Sequence, residues 1–417
     1  MFFSQNYLIN LKNFNSELVS ITMKLLYVSY DGILEPLGQS QILSYLEKLS
    51  LSNKIYLLTF EKKNDLLNIQ LCKDINRRIK NSNIEWYKFK YHKYPLFIST
   101  LFDISCGFLI CLKIVFQEKI TFIHARSYVP AFIAMLIKSL TGIKFIFDMR
   151  GFWVDEKVDA GIWKKNSIIF NLSKKIESKM LKKSDHIITL TNSGKKIIKK
   201  SFNLNKKKTF VTVIPTCVNI KKFYSTNKKI KNFTFGYVGT VNNWYNFDLV
   251  LRYFKYVLLI KKDSKLVIVN KNQHQYILNR IQYFNVPLKK ISLKSSNYSN
   301  IPALINQMSV GIFFIRPTFS KKASCPTKLA EFLSCGVPII TGPGVGDVVE
   351  IIQKENVGII LKSFTLANIR KSFKKIISLK RKKNFSKECR LAAKKYFSLE
   401  EGTKKYNQIY RSINANI

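Results

Sequence analysis

A chain of 417 residues, 47% hydrophobic and 13% aromatic, is too long for one comfortable hydrophobic core and too apolar to stay disordered, so two domains are expected. Seventy Lys and Arg face 25 Asp and Glu, a formal net charge of +45, and the excess is Lys spread in pairs along the whole chain. No zinc-finger spacing, aromatic RNP-like segment or basic-zipper pattern accompanies it, which argues against a specific nucleic-acid module and leaves a lysine-rich composition with a weak affinity for anionic membrane.

Residues 1–22 show no clean period, lack the apolar core and cleavage site of a signal peptide, and are expected to stand outside the fold. Lys24 to Ser29 reads as a first strand, followed by the loop YDGILEPLGQSQ and a helix through about Leu51. Gly32 and Gly38 do not make G-x-G-x-x-G, so the glycines alone signal only a turn. Further strands are expected at Ile55–Phe60, Ile84–Phe89, Phe122–His124, Phe145–Asp148 and His186–Thr191, with helices between, which is the alternation of a parallel sheet. Leu96 to Phe116 approaches membrane length, but Asp103 and Lys113 interrupt it, and a core or interface helix is expected.

Ligands of such sheets bind at the carboxyl ends of the strands. Three ends carry polar groups there: His124-Ala125-Arg126, Asp148-Met149-Arg150-Gly151 and Thr191-Asn192-Ser193. His124 sits where a strand gives out. Arg126 and Arg150 suit an anionic substrate group and Asp148 an orienting role, unless Asp148 and Arg150 simply pair with each other. A second unit starts at Phe233–Gly239, with strands expected at Leu266–Val269, Ile291–Leu293, Val310–Phe314, Val337–Thr341 and Gly358–Leu361. Seven cysteines without a C-x-x-C pair indicate neither a disulfide framework nor a zinc site and fit a reducing cytoplasm.

The stretch from Val310 to Gly346 reads as strand, basic loop, helix, strand and glycine-rich turn in unbroken order. Pro326 suits a first helical turn, with Ser324 as an eligible N-cap. A helix opening just beyond a parallel strand aims free N–H groups and the positive end of its dipole into the ligand crevice. Thr327 and Lys328 add a hydroxyl and a charge to this phosphate site in outline, and Glu331, one turn in, is placed to accept from a diol such as a ribose.

The segment SCPTKLAEFLSCGVPII resembles the donor-binding segment of family 4 (group 1) glycosyltransferases, and the likeness extends from about Met23 to the C-terminus. It implies an α/β fold of two Rossmann-like domains (GT-B) facing a central cleft: an acceptor-side domain at 23–215 and a nucleotide-sugar domain at 224–397. Val211–Phe223 resembles the family's hinge segment, Asn297–Ile301 falls where family members start a helix beneath the nucleotide base, and the C-terminal helix, about 398–417, would cross back to the first domain. The family commonly carries two Glu eight positions apart; Glu331 matches the second, and Ala323 stands at the first. Also implied are donor contacts from Gly38 and Gln39 after the first strand, from Gly239 and Thr240, and from Arg316, Pro326, Thr327, Lys328 and Glu331. His124 would steady the donor sugar or phosphate and is grouped with Lys328 and Glu331 as catalytic. Arg126, Asp148, Arg150, Asp155 and Glu156 fall on the acceptor side, the last two otherwise serving only to cap a helix. Where the family often grips the pyrophosphate with Arg and Lys, this chain has Asn242, Asn243 and Trp244, so Lys328, Arg316 or Lys321 must supply the charge.

The expected activity is that of a cytoplasmic, retaining glycosyltransferase of hexosyltransferase type, peripheral at the inner membrane surface. It would use a nucleotide sugar and a glycan or lipid-linked acceptor in cell-surface polysaccharide or lipopolysaccharide synthesis, without cofactor or metal, since no D-x-D pair stands beside either glycine loop. A nucleotide-sugar epimerase of the same fold and a basic non-catalytic binder of membrane or nucleic acid are the alternatives.

Overall fold

Apolar runs that bury both faces build two all-parallel sheets in the computed structural model, which describes residues 23–202, 209–226 and 230–415. The leader expected to stand apart, residues 1–22, lies outside the described residues. The first sheet holds β1 (Met23–Ser29), β2 (Asn53–Glu61), β3 (Ile84–Lys90), β4 (Phe122–Arg126), β5 (Lys144–Asp148), β6 (His186–Thr189) and β7 (Phe210–Val213), in the order 3-2-1-4-5-6-7. The second holds β8 (Thr234–Val238), β9 (Lys265–Val269), β10 (Ile291–Lys294), β11 (Val310–Ile312), β12 (Ile339–Thr341) and β13 (Gly358–Ile360), in the order 10-9-8-11-12-13. Each order reverses once, between β1 and β4 and between β8 and β11, and a crevice opens at the carboxyl ends of those pairs.

Register then fixes which polar groups meet. In the first sheet His124 pairs with Tyr27 on one side and Ile146 on the other, while Arg126 lies between Ser29 and Asp148. The Arg and Asp side chains therefore leave the sheet at the same level and on the same face.

Two chain crossings join the halves. The first leaves β7 through Pro215 and Cys217; the second runs from the helix Phe385–Phe397 into the last helix, Leu399–Asn414. They lie side by side, Val218 N–H donating to Phe397 O at 2.8 Å and Leu399 N–H to Val218 O at 3.1 Å. The last helix packs Leu399, Tyr406, Ile409, Tyr410 and Ile413 into the core of the first sheet, against Leu25, Tyr27 and Phe122.

Three sequence expectations change. The segment read as starting the hinge at Val211 is still strand, because β7 pairs with β6 as an edge. Gly38 and Gln39 are helical rather than in a loop: a short helix, Pro36–Gly38, runs into a π-helical turn, Gln39–Leu43, and then into Ser44–Leu49. Gly38 is required by contact, since a Cβ there would lie 1.9 Å from Gly32 O. Finally, the helix expected to start at Pro326 spans Thr327–Ser334 with Pro326 itself at the cap position, so Ser324 does not cap it.

Candidate active site

The helix Thr327–Ser334 points its first turn at the crevice between β8 and β11. Extended backbone at Pro326, whose fixed φ suits that position, turns the chain into the helix and leaves the first N–H groups free. Lys328 and Glu331 follow on this helix, 5% and 7% exposed. The Lys328 Nζ has no hydrogen-bond partner; it sits 3.5 Å from the Tyr245 ring centre and 4.2 Å from that of Tyr237. Two electron-rich rings face the amine without consuming its donors and favour its charged form when a ligand arrives. Gly239 ends β8 at φ +106°, a conformation L side chains rarely adopt, and a Cβ there would stand 3.1 Å from Lys328 Cε.

Burial sets the protonation of this pair. It pushes Lys328 well below its ordinary range, opposed by Glu331, and raises the Glu331 carboxyl to about 7, opposed by Lys328 and a hydrogen bond from Tyr298. Burial raises the Tyr298 hydroxyl, and both Glu331 and Ser40 of the π-helical turn act on it, so it stands near Glu331 on the side of the first domain. Single π turns inside helices are frequent at functional positions. The structure thus brings Ser40, Gly239, Lys328, Glu331 and Tyr298 together. Gln39 turns its amide to Leu34 O at 3.0 Å, Thr240 is exposed, Thr327 is half-buried, and Arg316 is exposed at the rim.

A second cluster fills the carboxyl ends of β4 and β5. Asp148 is fully buried, with Arg150 at 3.5 Å, His124 at 3.6 Å and Arg126 at 3.9 Å, and it accepts from the Tyr406 hydroxyl at 2.9 Å. Burial alone would raise its pKa, but Arg150 foremost, then His124 and Arg126, hold it far below the carboxylate range. The internal pairing of Asp148 with Arg150 is therefore what forms. His124 corrects the expectation of a donor contact: it is fully buried, its Nδ1 lies 2.7 Å from the Tyr410 hydroxyl, and Tyr27 and Tyr406 flank its ring. Burial, against the opposing pull of Asp148, lowers its pKa and keeps it neutral, a positioning residue beneath the last helix.

Family models match most of this framework. Residues 218–396 match "Glycosyl transferases group 1" and residues 71–222 match "Glycosyltransferase Family 4", together more than three-quarters of the chain. The chain belongs to the group 1, family 4 glycosyltransferases. No curated protein matches significantly in sequence. Among solved structures, the transferase is similar to a sucrose-phosphate synthase from Thermosynechococcus elongatus (TM-score 0.72, 12% identity, 95% of this chain and 100% of that one). It is also similar to a glycosyltransferase from Rickettsia africae (0.68, 16%, 95% and 100%) and to HepE from Anabaena, solved with UDP and glucose (0.66, 9%, 94% and 100%). At such identities the likeness shows the fold, the GT-B arrangement of two parallel sheets.

Three further carboxylates of the transferase, Glu156, Asp159 and Asp347, join its domains. Lys321, a candidate for phosphate, lies over Trp244 at 3.7 Å and pairs with Glu156 at 2.7 Å, so it is committed across the cleft. Asp159 accepts from Ser320 N–H at 2.8 Å, and Phe152 stacks on Phe319. Asp155 pairs with Lys174 at 3.0 Å within the first domain. On the far side of the interface Asp347 accepts from the N–H groups of Asn192 and Ser193 at 2.6 and 3.0 Å, which the strand-end segment Thr191-Asn192-Ser193 supplies. Tyr298 and Asp347 were not singled out from the sequence. For Tyr298 the available signal was its place in Asn297–Ile301, where the family starts a helix beneath the base.

Proposed function

We propose that the transferase moves a hexose with retention of configuration from a nucleotide sugar to a glycan or lipid-linked acceptor. The observation that carries this is the pair Lys328 and Glu331, buried side by side on a helix whose free N–H groups face the crevice, with Lys328 lacking any partner of its own. A buried amine without a hydrogen-bond partner is costly to charge until an anionic ligand completes it. Departing nucleoside diphosphate develops negative charge, and Lys328 with the N–H groups at Thr327 stabilises it in a site shielded from water. Glu331 then binds a sugar diol of the nucleotide, with Tyr298 beside it. The structural neighbour solved with UDP and glucose supports a nucleoside diphosphate donor.

The acceptor enters from the first domain, where Arg126 and Arg150 share one carboxylate and leave positive charge for a phosphorylated acceptor. Its hydroxyl is deprotonated by the leaving phosphate, since His124 is withdrawn beneath the last helix. Metal independence belongs to this reading, because neutralising charge is assigned to Lys328. No organic cofactor is invoked. The reading sets the transferase at the cytoplasmic face of a membrane, in cell-surface polysaccharide or lipopolysaccharide assembly, with its basic surface toward anionic lipid and without specific binding to nucleic acid; seven free cysteines fit that reducing compartment.

Screening nucleotide sugars for binding and hydrolysis tests the reading. Glu331→Ala is expected to weaken the bound donor by about 1.5 to 3 kcal/mol, the value of hydrogen bonds to a charged group, while the fold persists. Unchanged affinity in a well-folded variant refutes the donor assignment.

A further inference from the structure

The long helix between β3 and β4, Leu96–Glu118, presents a face that the fold leaves bare. Its window Ile98–Glu118 has a mean hydropathy of 1.9, yet only 33% is buried. The inward side is conventional: Asp103, Gly107, Cys111, Ile114 and Val115 pack toward the sheet and the helix Tyr128–Thr141. A Cβ on Gly107 would lie 3.0 Å from both Ile133 and Phe60, so this side is tightly docked. The outward side carries Ile98, Leu101, Phe102, Leu109 and Phe116, 69, 63, 51, 63 and 67% exposed. Steps of three, four and seven residues make them one stripe, roughly 27 Å long at the rise of an α-helix. Between Ile98 and Phe116 its one exposed charge is Lys113.

Solvent is a poor partner for such a stripe. A membrane-crossing role is ruled out by the inward side, because Asp103 is fully buried and bound to Tyr30 Oη at 2.9 Å and to His92 Nδ1 at 2.7 Å. These bonds fasten the helix broadside to the domain. Exposed lysines stand at both ends, Lys93 before it and Lys113 and Lys119 along and after its last turns, while Glu118 is engaged by the Tyr56 hydroxyl at 2.6 Å. An apolar stripe lying in one plane with lysines at its ends matches the boundary of an anionic bilayer.

We propose that this face docks flat on an anionic lipid surface, the apolar stripe entering the zone between headgroups and acyl chains and the flanking lysines meeting the headgroups. Tyr30, which Asp103 holds, lies just past the carboxyl end of β1. Docking therefore sets the mouth of the first-domain crevice beside the lipid. The inference stands on the helix alone and survives if the donor assignment fails.

Sedimentation of the full chain with vesicles of phosphatidylcholine, alone or mixed with phosphatidylglycerol, tests it. The mixed vesicles are expected to bind the chain, and the triple variant Leu101→Gln, Phe102→Gln, Leu109→Gln, which preserves net charge, to bind at least about tenfold more weakly with an unchanged melting temperature, since each loses buried apolar area. Binding that ignores the triple variant and vanishes with salt would mean charge alone and overturn the proposal. So would a dimer in solution that the triple variant dissociates, because the stripe would then be a contact between copies. Should the triple variant fold poorly, Phe102→Trp supplies a second reading: its emission is expected to shift to the blue on mixed vesicles and to be quenched by brominated acyl chains, and absence of both overturns docking.

Discussion

Lys328 and Glu331 lie three residues apart on one helix, and burial drives both toward their neutral forms. A bound diphosphate reverses this for Lys328, since a nearby anion favours the ammonium. The sign follows: free protein holds Lys328 deprotonated above its lowered pKa, bound protein holds it protonated, so binding takes up a proton between the two values. Glu331, at about 7, is already ionised at alkaline pH and contributes nothing there. Calorimetry of nucleoside diphosphate binding near the alkaline end, in buffers of different ionisation enthalpy, is expected to show uptake of about one proton, lost in Lys328→Gln. Zero uptake in the parent protein refutes the assignment. These two residues were legible because a local motif carries them on a single helix. Ala323, at the place of the family's first Glu, is explained only by packing: it is buried in the first domain's core, and a Cβ on Gly194 would lie 3.3 Å from its own. A carboxylate there would be enclosed by the partner domain. His124 was misjudged for a related reason, since the hydroxyl that occupies it belongs to Tyr410, 286 residues away.

At the scale of elements, the last helix is the piece on which the first domain's polar cluster depends. Tyr406 donates to a buried carboxylate and Tyr410 bonds a neutral imidazole. Tyr406→Phe is expected to cost about 1.5 to 3 kcal/mol and Tyr410→Phe about 1 kcal/mol, in proportion to the charge on the partner. Urea denaturation measures both, and a reversed ranking would show that Asp148 draws its support from the arginines alone. Twelve of the thirteen strands among the described residues were legible, most of them as apolar runs buried on both faces, with β3 and β10 partly exposed. β7 was not: Phe210–Val213 is an edge, exposed at its first residue, and its four residues merge into the hinge sequence. Helix starts were shifted for a different reason. The chain around Gly38 reads as a turn because of its glycines, yet Gly32 and Gly38 serve a backbone contact that only the folded chain reveals.

Across the whole molecule, the basic loop after β11 closes the cleft by gripping the first domain. Lys321 and Glu156 are both partly shielded, 7% and 29% exposed at the side chain, and the pair stands beside Asp159 and the Phe152–Phe319 stack. Glu156→Gln is expected to loosen closure and enlarge the radius of gyration in small-angle scattering, and the swap Glu156→Lys with Lys321→Glu to restore it. An unchanged radius in the single variant would assign closure to the Asp347 side of the interface instead. None of this was legible beforehand, because Glu156 and Lys321 lie 165 residues apart and each looked suited to a substrate.

The return of the last helix also orders events during synthesis. Because Leu399, Tyr406, Tyr410 and Ile413 complete a core that begins at β1, the first domain is discontinuous, with the second inserted between its parts. On the ribosome the strands β1 to β7 emerge first, yet His124 and Asp148 wait without their hydroxyl partners until Tyr406 and Tyr410 leave the tunnel. The second domain, whose core draws on residues from Val218 to Phe397, is the one whose chain is complete earlier. A nascent chain of this transferase therefore finishes its inserted half before its opening half can settle.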